Sequence, residues 1–125
     1  MKPEDFKNYL DKIDDAQRIL RLQKGAAYAG NGDVFDNFKR NAERVGVTKY
    51  QIWLVYFNKH IDAITNAIKE NPDSPVEKSE GMTGRIDDAI NYLKLLGGML
   101  EEDSGKKPDS PFPTCKVPNL ININL

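Results

Sequence analysis

The stretch TKYQIWLVYFNKHIDAITNAIKENP, residues 48–72, carries the clearest helix signals in the sequence. Thr48 and Gln51 have the spacing of a capping box, in which each side chain bonds the backbone N–H of the other residue at the start of a helix. A residue before proline avoids the helical backbone, so the Asn-Pro pair at 71–72 predicts that this helix ends near Glu70. The stretch therefore predicts a long helix with defined ends.

Two amphipathic segments precede this helix. From about Pro3 to Leu22, apolar residues recur at three- and four-residue steps and predict a first helix. The stretch 24–33, KGAAYAGNGD, contains three glycines and an asparagine and predicts a loop. Asp33 is then the predicted N-cap of a second helix, which Gly46 would end. The apolar stripe of this second helix is predicted to be Phe35, Phe38, Ala42 and Val45.

A fourth helix is predicted from about Arg85 to Glu102, after a polar loop at 71–84 that contains two prolines and two glycines. No strand-like alternation of useful length occurs before the C-terminal segment. The segments together predict an all-α, four-helix bundle-like domain over residues 1–103. The residues of the fourth helix predicted to face inward are Ile86, Ala89, Ile90, Leu93, Leu96 and Leu100.

The C-terminal segment 104–125 differs in character, because it holds four of the seven prolines and cannot form a continuous helix. Its end, NLININL, alternates apolar and polar residues, as extended chain does. A disordered tail and an extended Pro-rich arm are both compatible with this pattern, and we favour the arm. The side chains it would pack on its own or a neighbouring subunit are Phe112, Val117, Leu120, Ile121 and Ile123.

Composition excludes several classes of function. Eighteen basic residues against 19 acidic ones, in 125 residues, give a net charge of −1, which is not the basic excess of a duplex nucleic-acid binder. The single cysteine, Cys115, fits a reducing compartment. The N-terminus lacks the apolar core of a signal peptide, and no apolar run approaches the ~20 residues of a membrane span. We therefore expect a cytoplasmic protein without a membrane partner.

A first polar group lies on the third helix. His60 is three residues after Phe57 and four before Ile64, so it lies on the apolar side, where a core histidine with one hydrogen bond is the simplest interpretation. Lys59 and Asp62 flank it, which brings a cation, an imidazole and a carboxylate within one turn. A core histidine and a functional histidine both remain open.

A second polar group lies at the start of the fourth helix. Arg85, Asp88 and Tyr92 fall on one stripe, and Asn91 follows Asp88 by three residues, although asparagine is a poor residue for a helix interior. Mg²⁺ is bound in proteins by one or two carboxylates together with substrate phosphates, so this pattern is compatible with a magnesium site. The loop before the helix adds three more oxygen-bearing side chains: Glu77, Ser79 and Glu80.

Five short motifs together resemble a known class of protein. They are YAG (28–30), DNF (36–38), W(x)₅KH (53–60), SE (79–80) and GRIDDAINYLKLL (84–96). Over residues 20–102 the chain resembles the MazG-like all-α nucleoside triphosphate pyrophosphatases and the nucleotide-modification-associated domains of phages. The resemblance implies a phage-type protein of the bacterial cytosol that binds a nucleotide.

In the pyrophosphatases, two antiparallel helices supply ExxE and ExxD motifs that hold Mg²⁺ around the phosphates, and a metal-activated water cleaves the α–β bond. In this chain Asp88 and Asn91 stand where ExxD would lie. The third helix has no ExxE, and Lys59 and Asp62 stand there instead. The departures leave a silent nucleotide binder, such as a sponge or an accessory factor, as an alternative to the hydrolase. A purely structural helical protein is the third possibility.

The resemblance and the polar groups together define the predicted site and its cofactor, Mg²⁺ or Mn²⁺. The predicted catalytic residues are Asp88, Glu80 and His60, and the predicted metal ligands are Asp88, Glu80 and Asp62. The predicted nucleotide-binding residues are Lys59, Arg85, Asn91, Tyr92, Tyr28 and Asn37. Because short paired helices with broad apolar faces often complete their core across a two-fold axis, we also expect a homo-oligomer.

Overall fold

The computed structural model describes residues 1–28 and 32–105, with the backbone alone for 24–28. Within these ranges the regular secondary structure is α-helix alone, with no strand, which confirms the all-α prediction. The boundary predicted at residue 103 lies at the end of the last helix, and the predicted arm lies outside the described residues apart from its first two. None of the described helices is both long and apolar enough to cross a membrane. The four helices are α1 (Pro3–Tyr28), α2 (Asp36–Val45), α3 (Lys49–Glu70) and α4 (Gly81–Ser104).

The predicted start of α3 is confirmed. The Thr48 hydroxyl accepts a hydrogen bond from the Gln51 backbone N–H at 3.2 Å, and the Gln51 side chain accepts one from the Thr48 N–H at 2.8 Å. These bonds satisfy two of the donors that a helix start leaves without partners. Gly46 ends α2 with a left-handed φ of 72°, as predicted for a residue without a Cβ.

Two predicted helix boundaries are wrong. The helix α1 continues to Tyr28 through a segment predicted as loop, because the single Gly25 costs only about 1 kcal/mol relative to alanine and helix-favouring Ala26 and Ala27 follow it. The helix α4 begins at Gly81 rather than Arg85, and the positive φ of Gly81, 76°, turns the chain into the helix. Arg85 therefore lies in the second turn of α4, with a complete turn of helix before it.

The predicted N-cap of α2 is also wrong, although Asp33 does bond the backbone nearby. Phe35 occupies the N-cap position and makes no side-chain capping bond. Asp33 Oδ1 accepts from the Phe35 backbone N–H at 2.9 Å, and Asp33 Oδ2 accepts from Lys39 Nζ at 2.8 Å. Asp33 thus stabilises the turn that leads into α2, and the N-cap lies two residues later than predicted.

The core lies between α2, α3 and α4. Near the middle of the antiparallel α3–α4 pair, Trp53 Nε1 donates to the Tyr92 carbonyl oxygen at 2.6 Å, and the Trp53 ring stacks on Phe57 at 4.7 Å. At the far end, Asp103 accepts from Lys49 Nζ at 2.6 Å and from the Tyr50 hydroxyl at 2.5 Å. The buried apolar side chains of this core are Phe38, Ala42, Trp53, Ala67, Ala89 and Met99.

The side of α4 that packs inward agrees only in part with the predicted one, since Ala89 is buried as predicted. Met99 is fully buried and Arg85 is buried, whereas Leu93 is 51% exposed and Leu100 is 38% exposed. The second helix shows the same effect at Val45, which was predicted to face inward and is 65% exposed. The actual inner stripe of α4 therefore lies to one side of the predicted apolar one, and it includes a charged residue.

The helices α1 and α2 pack on α4 in different ways. Gln17 of α1 is buried, and its Nε2 donates to the backbone and side-chain oxygens of Asp87 at 3.0 and 3.1 Å. The ring of Phe35, just before α2, packs on Gly98, where a Cβ would lie 2.8 Å from the Phe35 Cζ. Gly98 thus permits the close approach of α2 to α4.

Candidate metal and phosphate site

The predicted polar groups of α3 and α4 meet at one end of the helix pair. His60 is buried in the middle of α3, and Arg85 and Asp88 project from the first turns of α4 beside it. The loop residues Glu77 and Glu80 close the group from the side where α4 begins. The first turns of α4 therefore lie beside the middle of α3 at this position.

Arg85 is the central cation of the group. Its side chain is 8% exposed, Nη1 lies 3.1 Å from His60 Nδ1, and Nη2 donates to Ser79 Oγ at 3.0 Å. Its Nε lies 3.6 Å from Glu77 Oε2, and Nη1 lies 3.7 Å from Glu80 Oε2. Arg85 Nε is buried without a hydrogen-bond partner, so the guanidinium keeps a donor unsatisfied. One side chain therefore links α3, the loop and α4.

Glu77 holds the loop in shape. Its Oε1 accepts from the backbone N–H of Ser79 at 3.2 Å and the Ser79 hydroxyl at 2.5 Å, and its Oε2 accepts from the Glu80 N–H at 2.7 Å. The Ser79 hydroxyl bond and the Glu80 amide bond, with a weaker effect from Arg85, lower the pKa of Glu77 to about 2. Glu77 is therefore ionised at neutral pH and orients the backbone that carries Glu80.

Three potential metal ligands lie together. One ligand atom each from His60, Glu80 and Asp88 can be chosen so that all three lie within 4.8 Å of one another. His60 is buried, Asp88 is half-buried, and Glu80 is exposed, so the group is open to solvent on the loop side. His60 Nδ1 lies 3.9 Å from Asp88 Oδ2. Ligand atoms at such separations can reach a single cation with small side-chain adjustments.

The donor set and its charge fit a divalent cation. Glu77 and Glu80 lie beside the Arg85 guanidinium, and Asp88 lies beside His60, so the three carboxylates exceed the one guanidinium by two negative charges when His60 is neutral. A divalent cation would balance that excess. An imidazole with two carboxylates suits Mn²⁺ at least as well as Mg²⁺, because Mg²⁺ prefers oxygen ligands in a strict octahedron.

His60 is held in the neutral form. Burial lowers its pKa below 6.5, and the nearby Asp88 charge opposes this shift while Arg85 adds to it. A neutral His60 can accept the Arg85 hydrogen bond through Nδ1, which places its own proton on Nε2. Metal binding also needs a neutral imidazole, but with the proton on Nε2 a cation could bind only at Nδ1, where it would have to displace the Arg85 hydrogen bond.

Because His60 is the only histidine, its titration can be followed directly. We expect the imidazole carbon and proton NMR shifts of the folded chain to titrate with a midpoint below 6.5, and those of the urea-unfolded chain near 6.5. The unfolded chain then takes up the proton first, so the free energy of unfolding should fall as the pH drops through 6.5. A folded midpoint at or above the unfolded one would contradict this account of the site.

Other residues of the predicted site have different positions. Lys59 and Asp62 are exposed on α3, and Asp62 is outside the three-residue ligand group. The Tyr92 ring lies 5.1 Å from the His60 ring, between centroids, so Tyr92 belongs to the group. Asn91 is half-buried on α4. The Tyr28 side chain lies outside the described part of the chain.

Asn37 lies on α2, one turn before Asn41, which bonds α3. Its side-chain oxygen accepts from Asn41 Nδ2 at 2.9 Å, and the same Asn41 nitrogen donates to the Tyr56 hydroxyl at 3.0 Å. Tyr56 is one turn before His60 on α3. The position of Asn37 is therefore explained by helix packing, and its predicted nucleotide contact stays a prediction.

The sequence pattern did not identify the buried network around Arg85 and Gln17. Arginine and glutamine are usually exposed, and a period of three or four residues predicts which side a residue takes but not whether it is buried. Two features of the sequence could have indicated their burial. Gln17 lies on the inward stripe of α1, and Arg85 lies one turn before Asp88 and Ala89.

Comparison of the chain with protein families, curated proteins and solved structures gave no match.

Proposed function

We propose that this protein is a divalent-metal-dependent (d)NTP pyrophosphohydrolase that releases a monophosphate and pyrophosphate. The observation that carries the proposal is the convergence of His60, Glu80 and Asp88, from three segments, beside the buried Arg85 cation. The resemblance of the KH and GRIDDAINYL motifs to nucleotide pyrophosphatases supports a nucleotide as the ligand. The three ligand residues belong to those same motifs and the neighbouring SE pair.

Each residue has a distinct task in this proposal. His60, Glu80 and Asp88 would hold the cation, whose chemistry is to neutralise phosphate charge and to lower the pKa of a bound water. Arg85 would attract the phosphates, because guanidinium groups bind phosphate oxygens with charge-assisted hydrogen bonds. Glu77 fixes the backbone at Ser79 and Glu80, and so positions the Glu80 carboxylate.

A second candidate is a nucleotide binder without turnover, such as a sponge or an accessory factor in nucleotide modification. The contribution of α3 to the ligand group favours this candidate. That helix supplies the imidazole of His60 and no carboxylate, because Asp62 lies outside the group. A site with fewer carboxylates holds fewer cations around the phosphates. The proposed location for both candidates is the bacterial cytosol, and the proposed assembly is a homo-oligomer.

Pyrophosphate release tests the proposal. The full chain is incubated with canonical and modified (d)NTPs in Mg²⁺ or Mn²⁺, with excess chelator as the control. We expect release of pyrophosphate and the monophosphate from at least one nucleotide, and none with the chelator. A nucleotide that raises the melting temperature in the presence of the metal, but is not hydrolysed, identifies the silent binder. A ligand that binds only the native state stabilises that state. The absence of both effects leaves a structural role.

A further inference from the structure

The α3–α4 pair presents an exposed apolar surface away from the metal and phosphate site. Leu54 and Ile68 of α3 are 50% and 45% exposed, and Leu93 of α4 is 51% exposed. Single exposed apolar residues are ordinary, but a continuous row of them marks a contact surface. We name this row the outer face, and its residues are Leu54, Ile61, Ile68, Leu93 and Leu100.

The two helices present their rows on the same side of the pair. Ile61 follows the inward-facing His60 by one residue. Leu93 likewise follows Tyr92 by one residue, and the Tyr92 ring faces inward, 5.1 Å from the His60 ring. One residue turns a helix by 100°. Because α3 and α4 run in opposite directions, the same turn brings both rows to one common side.

The opposite side of the pair is already covered by α2. Gly98 precedes the buried Met99 by one residue, so it lies 100° the other way around α4, and it contacts Phe35. Tyr56 of α3 bonds Asn41 of α2, and its ring lies 6.0 Å from Phe38. The segment around α2 thus occupies one side, and the outer face is the side that it leaves open.

The spacing within each row indicates what covers it. Leu54, Ile61 and Ile68 are separated by seven residues each, and Leu93 and Leu100 by seven. A seven-residue repeat brings side chains to the same position about every 10.5 Å along a helix, and this is the repeat by which helices pack on helices. Extended chain repeats about every 7 Å on one side, which does not match. The rows therefore fit a helical partner better than the segment 106–125.

We propose that the outer face is the contact between two copies of this chain, related by a two-fold axis. A face made of two antiparallel helices can pack on its own copy, since each apolar row meets another helix. Helices of this length span roughly 33 Å, and two side by side cover on the order of 650 Å² per copy. That approaches the ~800 Å² per partner of a stable interface. The inference is independent of the metal site.

Mass measurement of the full chain tests the interface. In light scattering at about 100 µM we expect the wild type to have twice the 14.1 kDa chain mass. Leu93→Glu should halve that mass, because a two-fold axis brings two buried carboxylates into one apolar contact. Leu54→Glu tests the same face from α3. Both side chains are half exposed, so the helical circular dichroism should be unchanged.

Val55→Glu is the matched control. Val55 is 65% exposed on the same helix and next to Leu54, but 100° further around and off the outer face. It should leave the dimer mass unchanged. A monomeric wild type overturns the proposal, and so does a Leu93→Glu or Leu54→Glu chain that stays folded and dimeric. Loss of the dimer in Val55→Glu as well would overturn the assignment to this face.

Discussion

The Asp88→Asn variant is expected to lose metal-dependent nucleotide binding and turnover while it keeps its fold. Asp88 supplies a carboxylate to the ligand group with His60 and Glu80, and the amide has neither the charge nor the same affinity for a hard cation. Changes in the outer shell of metal sites already cost 10–100-fold in affinity, so loss of a ligand should cost at least ~100-fold. The free energy of unfolding should change by about 1 kcal/mol or less, since no cavity forms.

Titration calorimetry with Mn²⁺ and the nucleotide identified by the release assay measures this effect. Asp73→Asn is the control, because it makes the same chemical change at an exposed loop carboxylate outside the group. Asp62→Asn separately tests the sequence prediction of a ligand on α3, and the geometry leads us to expect wild-type affinity. Wild-type nucleotide affinity in Asp88→Asn would remove the site from the proposal.

The Arg85→Ala variant is expected to be the most destabilising change at the site. Arg85 touches His60, Ser79, Glu77 and Glu80, and its removal leaves acidic groups facing one another without a cation. Removal of one partner of a buried ion pair costs about 3–5 kcal/mol, and the exposure of Glu80 suggests a value near the lower end, about 3 kcal/mol. Urea unfolding followed by circular dichroism measures the loss.

The Arg85→Lys variant separates charge from geometry. Lysine keeps the cation but has no planar fork to reach the loop and α3 together, so we expect an intermediate loss of stability. Divalent cations should partly restore the stability of Arg85→Ala, because they replace the missing positive charge in the acidic group. Arg44→Ala, at an exposed position of α2, is the control and should stay within about 0.5 kcal/mol of wild type. Equal stability of Arg85→Ala and Arg44→Ala would contradict the described contacts.

The sequence predicted most reliably what is set by local chemistry. The capping box at Thr48 and the helix end at Gly46 involve residues close together in the chain, and both are confirmed. The start of α4 was predicted too late because Gly81 and Gly84 are usual loop residues, whereas here Gly81 makes the turn into a helix that includes Gly84. Glycine permits both conformations, so its presence alone does not decide between them.

The tertiary arrangement was less accessible. The sequence grouped Arg85 and Asp88 on one stripe and His60 on another helix, but it could not show that the two helices meet at these residues. It also placed Leu93 and Leu100 inward, because they lie on the predicted apolar stripe of α4, although both are exposed. The side that packs on α3 is instead chosen by the partner surface, with Met99 and Arg85 inward. Hydrophobicity alone does not distinguish an intramolecular core from a contact surface.

The only tryptophan gives this protein a built-in optical probe. Trp53 lies between α3 and α4, with its indole N–H on the Tyr92 carbonyl and its ring on Phe57, and it is two helical turns from His60 on the same helix. Its fluorescence therefore reports the separation of the two helices that form the candidate site. Separation of α3 from α4 would expose the indole to water and shift its emission to longer wavelength. Ligand binding and unfolding can thus be followed by emission from one unlabelled chain.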